Sequence, residues 1–567
     1  MRILGFNSGL HDAAAAVVVD GQIAAFAAEE RFTRVKHDAA FPIQSIRYCL
    51  DAAGLKFKDI DAVAYSWDYF TFELEKLLWH IDRTLMLAEE SSEKAIEYLA
   101  SQRKRKAALY ATFNQIDTEV RKYFACEFIK VAHHFAHAFS VFPLSGFEHS
   151  AVLIVDGSGE KMTSSLWHHV GTNLRLLKSY ELPDSLGIFY AAVTQFLGFM
   201  HHDEEWKVMG WAAYGQPRYY DRLKDVLSPQ TLKLNVDYFQ FQYGKFPWYS
   251  QQLEEVLGLP PRRRTDGFDP VYADVAASAQ ALLDECVLTL ARELKALTGE
   301  ERLCMAGGVA LNGKSNGCIL DNGIFDQLFV QPASADDGTA LGAALKVAHD
   351  KGDDIFHRLE TVYLGMAFSD SEYQRALTAN GLAFAAYEEA ALVQLVAEQI
   401  AAAKVVAWFQ GRAEAGPRAL GNRSILADPR DAHMKRVLNE KIKFREPFRP
   451  FAPSVLAEYA GEYFEGKVSN ALFMNQIFTV RPDKRTVIPA VTHEDKTARI
   501  QIVTKSINPR YYDLIQAFYQ LTGVPVLINT SFNVKGEPIV NTPADAVNCF
   551  LDTGIDMLVL GNLVTVK

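Results

Sequence analysis

Three histidines stand within five positions of the stretch VAHHFAHAFS, residues 131–140. His133 and His137 are four positions apart, so on a helix both imidazoles face one side, one turn apart. His134 and His137, three positions apart, are the geometric alternative. An apolar run precedes the stretch, which predicts a junction between a strand and a helix, where open α/β sheets place ligands. The pattern indicates either a metal site or core histidines with satisfied hydrogen bonds.

Two aspartates could complete a metal shell with such a histidine pair. Asp156 lies in VDGSGE, at the predicted tip of a hairpin, and Asp336 lies in PASADDGTALGAA, before a predicted helix. Each aspartate alone also fits a turn or a helix cap, and Asp337 is the alternative to Asp336. Two imidazoles and two carboxylates without sulfur suit Fe(II), Mn(II) or Zn(II).

Two turns of the first half could also take part in chemistry. His11 and Asp12 follow a predicted strand in SGLHDAAAA. A turn histidine that faces a cleft suits general base catalysis, because its unperturbed pKa is about 6.5; the alternative is a purely structural turn. The Gly-Gly pair of MAGGVALNG would let backbone N–H groups approach phosphate or ribose closely, or it is only a tight turn between strand and helix.

The second half is rich in cations that are interleaved with proline and phenylalanine. GRAEAGPRALGNRS begins at residue 411, and KIKFREPFRPFAPS begins at residue 441. Cations beside apolar residues indicate a preformed anion site, because arginine contacts phosphate or carboxyl oxygens in bidentate fashion. Structural ion pairs are the alternative. LINTSFNVKGEPIV, further on, predicts a strand that leaves into a polar turn.

The elements that must position these residues follow an α/β pattern. Residues 3–6, 13–19 and 22–27 predict three strands joined by tight turns, and a similar pattern begins at Ala151, about 150 residues later. A duplicated α/β half is the simplest interpretation, with a helical region over residues 69–124 between the halves. Residues 350–365 indicate a boundary, after which a new α/β region begins, and SDSEYQRALTANGLAF within it predicts a capped helix. A chain of 567 residues exceeds one hydrophobic core.

Composition excludes several classes of protein. The formal charge of -11 argues against a nucleic-acid partner. The six cysteines contain no C-x-x-C pattern, which is typical of the reducing cytoplasm. The start opens directly into a strand pattern rather than a signal peptide, and no apolar run approaches the roughly 18 residues of a membrane span. We therefore expect a cytoplasmic protein without a nucleic-acid or membrane partner.

The succession HHFAHA, VDGSGE, MAGGVALN and DDGTALGAA resembles the NodU/CmcH family of O-carbamoyltransferases, which includes tailoring enzymes of antibiotic biosynthesis. The resemblance covers essentially the whole chain. It implies an actin/Hsp70-type (ASKHA) domain with a helical insert over residues 1–355, similar to the tRNA threonylcarbamoyl transferase. It also implies a YrdC-like α/β domain over residues 362–567. Two departures are Trp211, where the family usually has leucine, and a shorter turn before His11.

The resemblance also implies roles for single residues. His11 corresponds to the catalytic residue of the family. The metal ligands, typically of iron, correspond to His133, His137, Asp156 and Asp336. The residues that contact ATP correspond to Lys36, Asp156, Ser185, Gly308 and Asn312. The residues that bind carbamoyl phosphate and carbamoyl-adenylate correspond to Arg418, Lys443, Arg449, Arg499, Asn529 and Ser531.

We therefore predict an ATP-dependent O-carbamoyltransferase that uses carbamoyl phosphate and ATP with Mg. Its acceptor is a hydroxyl of a small natural product, whose identity the sequence leaves open. The alternatives are a tRNA threonylcarbamoyl-modifying enzyme and a metal-dependent ATPase or hydrolase of the same fold. The oligomeric state is also open, with a homodimer as one alternative.

Overall fold

The structure is a computed structural model that describes residues 1–68, 84–89 and 91–567. Residues 69–83 and 90 of the predicted helical insert lie outside the described residues. The chain forms two compact units, one of residues 1–24 and 39–358, the other of residues 25–38 and 359–567. Segment 25–38 therefore belongs to the second unit, although it lies in the first half of the sequence. The division of functions between two domains stays a prediction.

The first sheet has the strand order β3-β2-β1-β4-β5. β1 is antiparallel to β2 and parallel to β4, and β4 is parallel to β5. Asp20 and Gly21 both have positive φ between β2 and β3, which is typical of a tight hairpin turn. β1 and β2 are almost entirely buried, which explains their continuous apolar sequence. The strands are Arg2–Asn7, Ala14–Val19, Gln22–Ala28, Ala62–Tyr65 and Glu127–Lys130 for β1 to β5.

The second sheet has the order β10-β9-β6-β7-β8. As in the first sheet, the strand that comes first in sequence, β6, is antiparallel to β7 and parallel to β9, and β9 is parallel to β10. Numbered within each sheet, the strand order is 3-2-1-4-5 in both. The predicted duplicated α/β fold is therefore confirmed. The strands are His149–Val155, Met162–Val170, Asn173–Glu181, Arg302–Ala306 and Gln327–Val330 for β6 to β10.

Nine helices of seven or more residues are described in the first unit. They are Ile43–Ala52, Ser92–Tyr123, His133–Val141, Leu186–Phe196, Glu205–Ala212, Gln251–Leu257, Pro270–Thr298, Gly313–Asp321 and Asp336–Asp350 for α1 to α9. None of the helices in the described part of the chain has the length and apolar character to cross a membrane. The cytoplasmic location stays a prediction.

Helix α9 packs unusually close to β1 and α3 through glycine. A Cβ atom added at Gly5 of β1 would lie 2.0 Å from the carbonyl oxygen of Ala340. One added at Gly342 of α9 would lie 1.7 Å from the carbonyl oxygen of Ala136 in α3. The small residues of DDGTALGAA thus hold the start of α9, which carries Asp336, against the helix that carries the histidine pair.

Gly342→Ala is expected to lower the free energy of unfolding by about 3 kcal/mol, because the new methyl group forces the two helices apart. Urea denaturation followed by circular dichroism measures the change. Gly461→Ala is the matched control, because a Cβ atom there meets nothing within 4 Å. Equal stability of the two variants would show that the close packing of α9 on α3 is absent.

The second unit contains an eight-stranded mixed sheet of order β11-β20-β19-β12-β13-β18-β14-β17 and a two-stranded sheet of β15 and β16. The strands are Ala385–Ala386, Val406–Phe409, Arg423–Ala427, Ala452–Leu456, Ile477–Thr479, Thr497–Arg499, Gln501–Val503, Val526–Ser531, Met557–Leu560 and Leu563–Val566 for β11 to β20. The longer helices are Asp370–Ala379, Glu389–Ala401, Pro509–Thr522 and Pro543–Leu551 for α10 to α13. Ser369 and Glu372 form a capping box at α10, as the sequence predicts.

Candidate functional site

The structure brings the four predicted metal ligands together inside the first unit. His133 begins α3 and His137 follows one turn later; both are fully buried. Asp156 directly follows β6, and Asp336 begins α9. One ligand atom of each residue lies within 4.8 Å of those of the other three. Two sheets and two helices therefore converge on one buried cluster.

The distances within the cluster are those of groups that face one point. His133 Nε2 lies 3.5 Å from Asp156 Oδ2 and 3.4 Å from Asp336 Oδ1. His137 Nε2 lies 3.9 Å from each of these two atoms and 3.1 Å from His133 Nε2. His134, the alternative ligand, instead places Nδ1 2.7 Å from Ser165 Oγ. Asp337 is not part of the cluster.

The cluster suits a divalent cation. His133 Nδ1 lies 3.3 Å from the carbonyl oxygen of Ser66, an arrangement that leaves Nε2 free to bind an ion. Burial opposes a charge on His133, but Asp336 and Asp156 outweigh it and raise its pKa well above the ordinary value. Burial and the neighbouring His133 lower the pKa of His137 to about 4. One cation satisfies both imidazoles and both carboxylates at once, and the donors fit Fe(II), Mn(II) or Zn(II).

Residues around the cluster hold His133 in place, and sequence reasoning missed them. The Glu160 carboxylate accepts hydrogen bonds of 2.9 Å from the backbone N–H groups of His133 and Asp68. The Trp67 ring stacks on the His133 ring at a centroid distance of 4.0 Å. Glu160 is the last residue of the VDGSGE motif, and its place in this motif was the signal by which the sequence could have identified it.

His11 lies at the open side of the cluster. Its Nε2 is 3.6 Å from Asp336 Oδ2, its Nδ1 is 2.9 Å from Asp12 Oδ2, and its side chain is 33% exposed. Burial opposes a charge on the ring, but Asp336 and Asp12 outweigh it and raise the pKa of His11 to about 9. His11 is thus a titratable group between the buried cluster and solvent. Its catalytic role stays a prediction.

The Gly-Gly turn lies against the end of β6. Gly307 has a φ of +96°, and a Cβ atom there would lie 2.3 Å from the carbonyl oxygen of Val155, so only glycine fits. The backbone N–H of Gly308 donates a hydrogen bond of 2.9 Å to Asp156 Oδ1. The turn therefore orients the carboxylate of Asp156 and leaves its Oδ2 facing the histidines.

Two of the other residues predicted to contact ATP, Asn312 and Ser185, lie at the starts of helices. Asn312 caps α8, because its side chain accepts hydrogen bonds from the N–H groups of Lys314 and Ser315 at 3.2 Å. Ser185 caps α4 and donates a hydrogen bond of 2.6 Å to the carbonyl oxygen of Gly157. Lys36 lies in segment 25–38 of the second unit. Their contacts with ATP stay predictions.

Five cations gather in the second unit and form what we call the anion site: Arg418, Lys443, Arg445, Arg449 and Arg499. Burial, and then the charges of Arg418 and Arg449, lower the pKa of Arg499 well below its ordinary value. Burial, Arg445 and Arg449 do the same to Lys443. Arg418 has no hydrogen-bond or ion-pair partner in the part of the chain that the structure describes. A set of like charges held together in this way is suited to a multiply charged anion.

Lys443 is held by the turn that follows β18. Its Nζ donates hydrogen bonds to Asn533 Oδ1 at 2.8 Å and to the carbonyl oxygens of Asn533 and Ser531. Asn529 Nδ2 donates to Ser454 Oγ at 3.1 Å, while its buried Oδ1 has no partner among the described residues. The sequence analysis did not identify Asn533, although this residue lies in the polar turn predicted within LINTSFNVKGEPIV.

The loop that carries Arg418 is folded around a buried carboxylate. Glu414 Oε1 accepts hydrogen bonds from the backbone N–H groups of Leu420, Asn422 and Arg423 at 2.8, 2.9 and 3.1 Å. Three donors on one oxygen fix the loop on both sides of Arg418. Sequence reasoning treated this stretch as a source of cations and missed Glu414.

Comparisons with known proteins agree along the chain. A family model described as carbamoyltransferase N-terminus matches residues 2–345, and one described as carbamoyltransferase C-terminus matches residues 397–567. An uncharacterized protein of Synechocystis sp. is 40% identical over 100% of this chain and 97% of its own length. Nodulation protein NolNO of Sinorhizobium fredii is 40% identical over 99% of this chain and 80% of its own.

Among solved structures, component A of (R)-2-hydroxyglutaryl-CoA dehydratase from Acidaminococcus fermentans is 14% identical, with a TM-score of 0.31 over 62% of this chain and 98% of that protein. The ROK hexokinase of Thermus thermophilus is 13% identical, with a TM-score of 0.28 over 61% of this chain and all of that protein.

Proposed function

This chain belongs to the carbamoyltransferase family, and from that premise we propose that it is an ATP-dependent O-carbamoyltransferase acting through carbamoyl-adenylate. The second unit binds carbamoyl phosphate and ATP, and the metal cluster of the first unit serves the transfer to an acceptor hydroxyl. The anion site carries this proposal, because a cluster of five cations matches the phosphate groups of both substrates. The acceptor is a small natural product.

Adenylate formation consumes one water, since both phosphate and pyrophosphate leave. Water cleaves carbamoyl phosphate to carbamate and phosphate. A carbamate oxygen then attacks the α-phosphorus of ATP, and the bond from that phosphorus to pyrophosphate breaks. Arg418, Arg449 and Arg499 hold the phosphate oxygens and offset the charge that develops there. The preformed loops around them avoid reorganisation during the reaction.

In the transfer step, the acceptor oxygen attacks the carbamoyl carbon, the bond from that carbon to the AMP oxygen breaks, and AMP leaves. A divalent metal ion bound by the four ligands would supply Lewis-acid polarisation of the carbonyl group. His11, oriented by Asp12 at Nδ1, is placed to receive the hydroxyl proton at Nε2. A cation held by the four residues would offset the charges of Asp336 and Asp156, which would then raise the pKa of His11 less.

Pyrophosphate release from ATP is expected to require carbamoyl phosphate and to fall about 100-fold or more in Arg449→Ala, because one preorganised charge on the transferred groups is lost. A coupled assay for pyrophosphate, with and without carbamoyl phosphate, measures both effects. Arg436→Ala is the control, since Arg436 is an exposed arginine of the same unit. ATP turnover that ignores carbamoyl phosphate would refute the proposal and favour a metal-dependent ATPase or hydrolase.

A further inference from the structure

Segment 29–37, EERFTRVKH, carries two arginines that donate to backbone carbonyls of two different loops in the second unit. Arg31 Nη2 donates to the carbonyl oxygen of Gly416 at 2.7 Å. Arg34 donates from Nη1 to Ile539 O at 2.7 Å and from Nη2 to Pro538 O at 2.9 Å. Gly416 is 385 residues away from Arg31 in sequence, and Ile539 is 505 residues away from Arg34.

Arg31 acts on the loop of the anion site that carries Arg418. Gly416 lies two residues before Arg418, and Glu414 holds the backbone of the same loop from the other side through Leu420. Arg31 is 7% exposed, so its hydrogen bond to the Gly416 carbonyl forms away from water and is correspondingly strong. The loop is therefore anchored both before and after Arg418.

Arg34 reaches Lys443 through a chain of hydrogen bonds. Arg34 binds the carbonyl oxygens of Pro538 and Ile539, the two residues that follow Glu537. The carbonyl oxygen of Glu537 accepts a hydrogen bond from Asn533 Nδ2 at 2.7 Å. Asn533 Oδ1 in turn accepts from Lys443 Nζ at 2.8 Å. Arg34 also lies 3.7 Å from an oxygen of Asp545, which fixes its guanidinium group. The turn that holds Lys443 is thus tied to segment 29–37.

We propose that Arg31 and Arg34 are positioning residues that preorganise the anion site for carbamoyl phosphate and ATP. The reason is electrostatic. The cations of the site repel one another, and without an external tie the loops that carry them would relax apart before an anion binds. Hydrogen bonds from charged donors to carbonyls are stronger than those from neutral donors, and the two arginines tie one loop each. This inference rests on the proposed function of the anion site.

The test measures kcat and KM for carbamoyl phosphate in pyrophosphate release by full-length Arg34→Ala, Arg34→Lys and Arg31→Lys. We expect Arg34→Ala to lower kcat/KM roughly 10- to 100-fold, because small displacements of binding groups have effects of that size. Arg34→Lys should recover part of the loss, since one donor still reaches one carbonyl. Arg481→Ala is the matched control, because Arg481 Nε donates to the carbonyl oxygen of Gly461 at 2.9 Å in the same unit.

Measurements are made at a temperature at which circular dichroism shows each variant folded, so a purely stabilising role would leave kcat/KM unchanged. A folded Arg34→Ala protein with the kcat/KM of wild type would overturn the inference. If Arg34→Ala does not fold, Arg34→Lys and Arg31→Lys take its place. The kcat/KM of wild type in both folded variants would then overturn the inference. A wild-type protein without carbamoyl-phosphate-dependent pyrophosphate release would instead refute the proposed function itself.

Discussion

His137→Ala is expected to yield a protein that has lost its metal ion, with the metal affinity lowered by more than about 100-fold. Removal of a partner outside the ligand shell already costs 10- to 100-fold, and His137 supplies one of four ligand atoms in the buried cluster. The two carboxylates then face a single imidazole and cannot complete a four-ligand shell. Carbamoyl transfer should be lost with the ion.

The metal content of the purified protein, measured by elemental mass spectrometry, checks this prediction without any knowledge of the acceptor. His134→Ala is the matched control, since His134 lies on the same helix, is equally buried and bonds to Ser165 instead of facing the cluster. Pyrophosphate release should persist in His137→Ala, because the anion site lies in the other unit. Loss of metal in His134→Ala but not in His137→Ala would contradict the assigned ligands.

Arg499→Met is expected to stabilise the protein while it strongly lowers the rate of adenylate formation. Burial, and then the charges of Arg418 and Arg449, lower the pKa of Arg499. Its buried Nε has no partner in the described part of the chain. A buried unsatisfied donor costs about 1–3 kcal/mol. Replacement by an uncharged side chain of similar length removes both penalties, so we expect a melting temperature about 2–4 °C higher.

The same substitution removes the contact that we propose between Arg499 and the substrate phosphates, and pyrophosphate release should fall about 100-fold or more. Differential scanning calorimetry and the pyrophosphate assay measure the two effects on one sample. Arg436→Met, at an exposed arginine of the same unit, should change neither. A melting temperature below that of wild type would mean that Arg499 stabilises the fold, as in a structural ion pair, and is not held at a cost for binding.

Local patterns predicted the histidine pair of the cluster and the α/β class for physical reasons. Residues four apart on a helix share a face whatever the rest of the chain does, so His133 and His137 were available from spacing. Apolar runs separated by tight turns predict strands, and their recurrence from Ala151 predicted the duplication. The capped helix α10 was predicted because its capping box is local. Clustered cations beside apolar residues likewise pointed to an anion site.

What the sequence by itself determined is therefore the set of candidate residues and the elements that carry them. Only the tertiary structure distinguished His133 from His134 as the partner of His137 in the cluster, because the spacing allows both pairs. The ring of His134 bonds to Ser165 of β7, and that of His133 faces the two aspartates. The tertiary structure also showed Glu160, Glu414 and Asn533, and the two arginines of segment 29–37. Each of them makes hydrogen bonds to backbone groups, and backbone groups have no residue identity that a sequence pattern could reveal.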